Sequence, residues 1–274
     1  MSAPPTMPRG SAREDHGMRL LSVEGLHKAF GGVVAARNVT FAVEAGTLLA
    51  MIGPNGAGKS TIFNMLGGQL VPDRGRVLLA GADITGLAPR RIWRLGVGRT
   101  FQVAQTFVSM TVAENVQLAL ISHHHRTRAW WPAAQSLYRG EALGLLARVG
   151  MGSEADRPSN ELAYGDVKRV ELAIALVGAP KLLLMDEPTA GMAPKERAQL
   201  MQLVRDIARA SGIGVLFTEH DMDAVFAHAD RILVLVRGEI VAVGRPEEVR
   251  TNPRVREVYL GPSPELSHAK VPAG

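Results

Sequence analysis

The run Gly53 to Thr61, GPNGAGKST, sets a glycine-rich stretch, a lysine and two hydroxyls at the spacing that holds the phosphates of a nucleotide. Gly53, Gly58, Lys59 and Ser60 take the fixed positions of the G-x-x-x-x-G-K-[ST] pattern, and Pro54, Asn55, Gly56, Ala57 and Thr61 complete the loop. Its amides can close around an anion, with Lys59 set to meet the β- and γ-phosphates of the nucleotide and Ser60 to hold Mg²⁺. A second chemical element ends Leu182 to Glu187, LLLMDE, where four apolar residues deliver two acids. Asp186 suits Mg²⁺, and Glu187 suits polarising the attacking water. Gln102, in GRTFQ, can coordinate Mg²⁺ or order water through its carbonyl; His220, in FTEHD, can donate a hydrogen bond to the γ-phosphate.

These residues need a scaffold that gathers strand ends. Thr47 to Ile52 is an apolar run of the buried-strand type and Ser60 to Leu70 has a helical pattern. The loop therefore lies between a strand and a helix N-terminus, whose amides and dipole favour an anion. Leu20 to Gly25 and Val39 to Val43 alternate as strands of an antiparallel opening, and Arg76 to Ile84 predicts another strand with a turn. From Thr111 to about Ala179 apolar residues recur at helical spacing, notably in Val112 to Leu120 and Leu143 to Val149. Lys181 to Met185, Gly214 to Thr218 and Arg231 to Val236 then return as apolar strands with helices between them. That alternation predicts an α/β fold with a mainly parallel sheet covered on both faces, its ligand edge at the strand C-termini. Arg237-Gly238 between apolar runs predicts a terminal hairpin. The expected organisation is a disordered tail (1–17), one domain (18–261) with a helical insertion at about 103–180, and a second tail (262–274).

Composition narrows the function classes. The 274 residues suffice for a full core, and the absence of cysteine excludes a disulfide framework or thiolate metal site and is compatible with a reducing cytosol. Residues 1–17 have no apolar core of a signal peptide, and no apolar run approaches the roughly 18 residues of a membrane helix. The formal charge of +5 is spread along the chain. Its densest group, Arg90, Arg91, Arg94 and Arg99, reads as a solvated or partner-facing surface rather than a nucleic-acid patch. His123 to His125, followed by Arg126, Arg128, Trp130 and Trp131, reads as an exposed loop, since consecutive histidines converge poorly on one ion.

With these residues in this order, the chain resembles an ATP-binding cassette, the ATPase subunit of ABC transporters, from Met18 to Gly261. The resemblance implies a P-loop NTPase cassette with a mainly parallel core sheet, an antiparallel β subdomain and a helical insertion. It assigns Phe30 to adenine stacking, Gln102 to the Q-loop, Asp186 and Glu187 to the acidic strand end, Ala190 to Pro194 to the D-loop and His220 to the switch. Leu162, Ala163, Tyr164, Gly165 and Asp166 become the signature that meets the ATP of an opposing cassette. The implied partners are two membrane permease subunits, a second cassette and, indirectly, a periplasmic or extracellular substrate-binding protein, with no nucleic acid. The implied location is peripheral, on the cytoplasmic face of the inner membrane, with a permease coupling helix seated near Gln102 to Met110. Gly96 to Val116, ELAYGD, AGMAPKE and Gly244 to Gly261 further resemble a cassette of branched-chain, hydrophobic amino-acid importers, to which amide and urea importers are close. Ala163, Tyr164 and Asp166 depart from the usual LSGGQ, and Ala193 from the usual D-loop acid or amide. Asp166, beside the helical pattern Val167 to Val177, is expected to cap free amides. A soluble cassette ATPase of assembly or remodelling, as in iron-sulfur scaffolding, is the alternative.

Overall fold

Strands covered on one face alternate in hydropathy and strands covered on both do not; this chain uses both kinds. The computed structural model describes residues 19–100, 106–124 and 137–260. β1 (Arg19–Phe30) and β2 (Val33–Glu44) pair antiparallel through several register shifts, which carry them well past the expected Leu20 to Gly25 and Val39 to Val43. β3 (Leu48–Ile52) enters a second sheet, while β4 (Arg74–Leu79) pairs with the free edge of β1 and β5 (Ala82–Asp83) with β4. The first sheet thus runs β2-β1-β4-β5.

The second sheet adds β6 (Val97–Thr100), β7 (Leu182–Asp186), β8 (Gly214–Thr218), β9 (Arg231–Val236) and β10 (Glu239–Gly244) in the order β10-β9-β3-β8-β7-β6. All its pairings are parallel except the β9–β10 hairpin, which turns at Arg237-Gly238 as the sequence predicts. Every residue of β3 is buried, Leu49 and Met51 in a core shared with the antiparallel sheet, Leu48, Ala50 and Ile52 in a core shared with helices. Two opposed cores therefore clamp the strand that feeds the phosphate loop.

The helices are α1 (Lys59–Leu66), α2 (Pro89–Arg94), α3 (Val112–His123), α4 (Arg139–Arg148), α5 (Tyr164–Ala175), α6 (Pro194–Ser211), α7 (Met222–His228), α8 (Pro246–Thr251) and α9 (Pro253–Leu260). α1 stops at Leu66 rather than Leu70 because Gly67 and Gly68 follow, Gly68 in the left-handed region at φ 77°. Between β6 and β7 the regular elements among the described residues are helices, apart from an isolated bridge between Thr111 and Pro158, and α3 opens with a full capping box between Thr111 and Glu114. No helix among the described residues is long and apolar enough to cross a membrane.

Three expectations need correction. Arg99 is not part of a solvated arginine surface: it sits on β6 and donates to Gln69 Oε1 at 2.8 Å and Asn64 Oδ1 at 3.0 Å, fastening the sheet edge to α1. His123 is not in a loop but closes α3, its ring edge-on to Trp93 at 5.1 Å, while His124 stacks on Tyr138 at 4.5 Å. Asp166 caps nothing through its side chain, because α5 begins at Tyr164 with Ala163 as N-cap, leaving Asp166 inside the first turn. The residues from His125 to Trp131, like Gln102, lie outside the described residues.

Candidate nucleotide site

The phosphate loop is shaped by what its glycines cannot carry. At Gly58, with φ 105°, a Cβ would lie 2.1 Å from the Ala35 carbonyl oxygen; at Gly53 it would lie 2.1 Å from that of Leu235. Only glycine lets β2, β9 and the loop approach this closely. The turn of the β9–β10 hairpin adds a hydrogen bond from the Gly238 amide to the Ala57 carbonyl at 2.8 Å. Gly58 is also the N-cap of α1, no side chain accepts from the helix amides, and no acid stands in its first turn. The helix thus leaves its first amides and positive end free of any cap or acid of its own.

Lys59 is 8% exposed, and its ammonium donates to the carbonyls of Gly53 at 2.5 Å and Pro54 at 3.2 Å. Burial pulls its pKa below the ordinary lysine range, while the charges of Glu187 and Asp186 raise it in opposition. Asn55 to Thr61, Ala35, Glu187 and His220 together line one cavity of ≈ 220 Å³. The loop and the two groups suited to acid-base work therefore share a wall.

β7 delivers the carboxylates. The Thr218 hydroxyl, at the paired position of β8, donates to Asp186 Oδ1 at 2.7 Å, and the Glu187 amide donates to Thr218 Oγ1 at 3.0 Å. Glu187 holds φ 48°, an uncommon conformation for a residue with a side chain. His220 Nε2 stands 2.8 Å from Glu187 Oε1, and since a carboxylate accepts, Nε2 carries the proton of that bond. Ser60 and Asp186 offer a hydroxyl and a carboxylate oxygen, hard donors of the kind Mg²⁺ takes along with phosphate and water. Among the described residues no cluster of three or more histidines or acids forms a protein-only metal cage.

Phe30 ends β1 and is 46% exposed rather than core, with Lys28 Nζ 5.6 Å from its ring centre. The sequence stretch Leu162 to Asp166 lies elsewhere, and none of it lines the phosphate-loop cavity. Ala163 leaves the α5 amides without a side-chain cap. Tyr164 is 45% exposed under the ammonium of buried Lys168 at 5.5 Å, and Lys168 pairs with buried Glu171 at 3.0 Å. Gly165 packs beside Met192 and Glu196. Ala190 to Pro194 leads into α6, whose N-cap is Ala193 and whose Glu196 accepts from the Ala193 amide at 3.4 Å.

Thr189, Thr218 and Glu219 were not singled out by the sequence motifs, although all are buried beside the acidic strand end. A polar Thr218 closing an otherwise apolar strand, with Glu219 directly before His220, is the available signal.

The family model described as ABC transporter matches residues 36–190, and one described as branched-chain amino acid ATP-binding cassette transporter matches 239–261. Among curated proteins, the high-affinity branched-chain amino acid transport ATP-binding protein LivG of Escherichia coli K12 is 39% identical over 252 residues, covering 88% of this chain and 98% of LivG. The high-affinity branched-chain amino acid transport ATP-binding protein BraF of Pseudomonas aeruginosa is 39% identical over 251 residues, covering 88% of this chain and 98% of BraF. A solved nucleotide-free cassette from an ABC transporter superposes with a TM-score of 0.79 at 34% identity, covering 89% of this chain and 100% of that one. A cassette solved in its ADP conformation gives 0.78 at 34%, with coverage of 89% and 100%. With phosphate loop, acidic strand end and histidine set around one cavity, and relatives matched almost end to end, the chain belongs to the ABC transporter family as an ATP-binding cassette ATPase.

Proposed function

We propose that this chain hydrolyses ATP at the corner between β3, β7 and α1 to energise a membrane importer of branched-chain or other hydrophobic amino acids, or of related amides or urea. The carrying observation is Glu187, fixed in a left-handed turn at the end of β7 with its carboxylate on His220 and its side in the phosphate-loop cavity. The cargo class is supported by the names of the relatives and by the match over 239–261.

In this reading the loop amides from Asn55 to Thr61 bind the β- and γ-phosphates, and the Lys59 ammonium exchanges its carbonyl partners for phosphate oxygens. Glu187 orients a water and accepts its proton as the γ-phosphoryl leaves. His220, whose Nε2–H donates to Glu187 in this structure, turns that donor to the γ-phosphate once nucleotide is bound, which leaves Glu187 Oε1 to accept from the water. Ser60, Asp186 and Gln102 would hold Mg²⁺, which when bound neutralises charge on the β- and γ-oxygens. Exposed Phe30 stacks on adenine. Leu162 to Asp166 presents the uncapped α5 terminus to the nucleotide of a second cassette, identical or not, and two permease subunits receive the motion at the cytoplasmic face of the membrane.

The test is Glu187→Gln in the assembled transporter. ATP affinity stays within a few-fold of the parent and turnover falls by about 10²–10⁴; turnover near the parental rate removes Glu187 from the role of base. Stimulation of the parent ATPase by binding protein loaded with leucine, against the same protein offered urea or a short-chain amide, checks the cargo class.

A further inference from the structure

We propose that Glu219 is a positioning residue for ATP hydrolysis, one carboxylate that holds His220 and the segment following Glu187 as a single unit. Glu219 is 5% exposed and Thr189 1% exposed. Glu219 Oε1 accepts from the Thr189 amide at 3.0 Å and from the Thr189 hydroxyl at 2.5 Å, and Oε2 accepts from the His220 amide at 3.2 Å. A buried carboxylate gives up hydration that only such bonds restore, so all three geometries are tightly specified.

The bonds close a ring. Glu187 and Thr189 are two residues apart on the turn after β7; Thr189 is bonded to Glu219, Glu219 to the His220 backbone, and the His220 ring to Glu187 Oε1 at 2.8 Å. The base and its histidine are thus joined in front by their side chains and behind by Glu219. A second fastening runs parallel: Arg197 donates to the Met192 carbonyl at 3.1 Å and is ion-paired with Asp221, which caps α7 through the Ala224 amide at 3.0 Å. Every partner of Glu219 in this ring is a donor, so the site requires a group that only accepts. Glutamine has the same shape but sets an N–H against an N–H at one end.

The inference rests on the reading of Glu187 as the base, and the test separates the two. Parent, Glu219→Gln, Thr189→Val, Thr189→Ser and Glu187→Gln are compared, each assembled with second cassette and permeases, for kcat, KM for ATP and melting temperature. Glu219→Gln is expected to lower kcat about tenfold or more while KM stays within about twofold, since the phosphate loop is not part of the ring. Thr189→Val should lower kcat about threefold, the worth of one hydrogen bond, and Thr189→Ser, which keeps the hydroxyl, should restore it. Parental kcat per folded molecule in Glu219→Gln overturns the proposal, as does KM rising while kcat holds, or serine proving as poor as valine. If Glu219→Gln does not fold, the valine and serine pair decides by the same criteria. An active Glu187→Gln overturns the reading of the base; an inactive Glu187→Gln beside a parental Glu219→Gln overturns the positioning role alone.

Discussion

α1 and α5 both begin without a side-chain cap, yet the two termini are built from different materials. At α1 the terminus is shaped by main chain: Gly58 and Gly53 lie against the carbonyls of Ala35 and Leu235, and the helix's own first turn carries no acid. At α5 it is shaped by side chains, Tyr164 under Lys168, Lys168 on Glu171 and Gly165 beside Met192 and Glu196, with Asp166 in the first turn. Main-chain crowding permits one geometry; side-chain packing permits adjustment. In the proposed reading, the half that grips its own phosphates is set by main chain, and the half offered to a second cassette's nucleotide is set by side chains that substitution can tune.

The largest test of this contrast is Lys59→Ala. Loss of a charge-assisted contact to two phosphates should weaken ATP binding about 100-fold, or ~2.7 kcal/mol, in a titration with fluorescent nucleotide; an unchanged Kd would remove the loop from the site. The paired glycines come next. Gly58→Ala forces a Cβ onto a carbonyl oxygen at positive φ and should cost about 1–3 kcal/mol, seen as a lowered melting temperature with lost nucleotide. Gly165→Ala meets only ordinary contacts at 3.5 Å and should leave melting within about 1 kcal/mol of the parent. Equal losses would erase the distinction between the two termini.

Asp166→Gln probes the adjustable half directly. With no cap bond to lose, only the interaction with the helix dipole remains, about 0.3–1 kcal/mol. Turnover should be unchanged or faster, because a carboxylate at this terminus opposes an incoming phosphate; a tenfold fall would make Asp166 a contributor instead. The smallest effect lies outside both termini. Burial, then the charge of Arg205, lowers the pKa of His228 below its usual 6.5, so the unfolded chain binds that proton more readily than the folded one. The stability it contributes is complete above about pH 6.5 and is lost as pH falls toward the lowered pKa. Melting at pH 5.5 against 7.5 should fall roughly 2 °C less in His228→Gln than in the parent.

What could be read from residue order depended on whether one segment carries its own signal. The phosphate loop, the apolar strands β3, β7, β8 and β9 and the Arg237-Gly238 turn are local patterns and stand where the sequence predicts. β6 was illegible because Val97–Thr100 is only four residues long, with a glycine and an arginine inside it; it is a strand because β7 supplies its hydrogen bonds and Gly98 allows the Ala175 carbonyl close by. Arg99 looked like surface because its partners, Asn64 and Gln69, are distant in sequence. The site shows the same division: Glu187 and His220 belong to motifs, whereas the Glu219 contact to Thr189 spans 30 positions and follows only from β7 and β8 being neighbours.

The position of β3 between β8 and β9 also sets a timetable for making the molecule. The strand that feeds the phosphate loop leaves the ribosome early, yet both strands that pair with it begin at Gly214 or later. The hairpin amide that braces the loop, that of Gly238, comes later still. Until some three-quarters of the chain has been synthesised, β3 has unpaired edges and an apolar sequence, the combination most prone to pairing with the wrong chain. A polypeptide interrupted before Arg231 therefore carries the loop, β2 and β8 but lacks β9 and the Gly238 amide that complete the loop's frame.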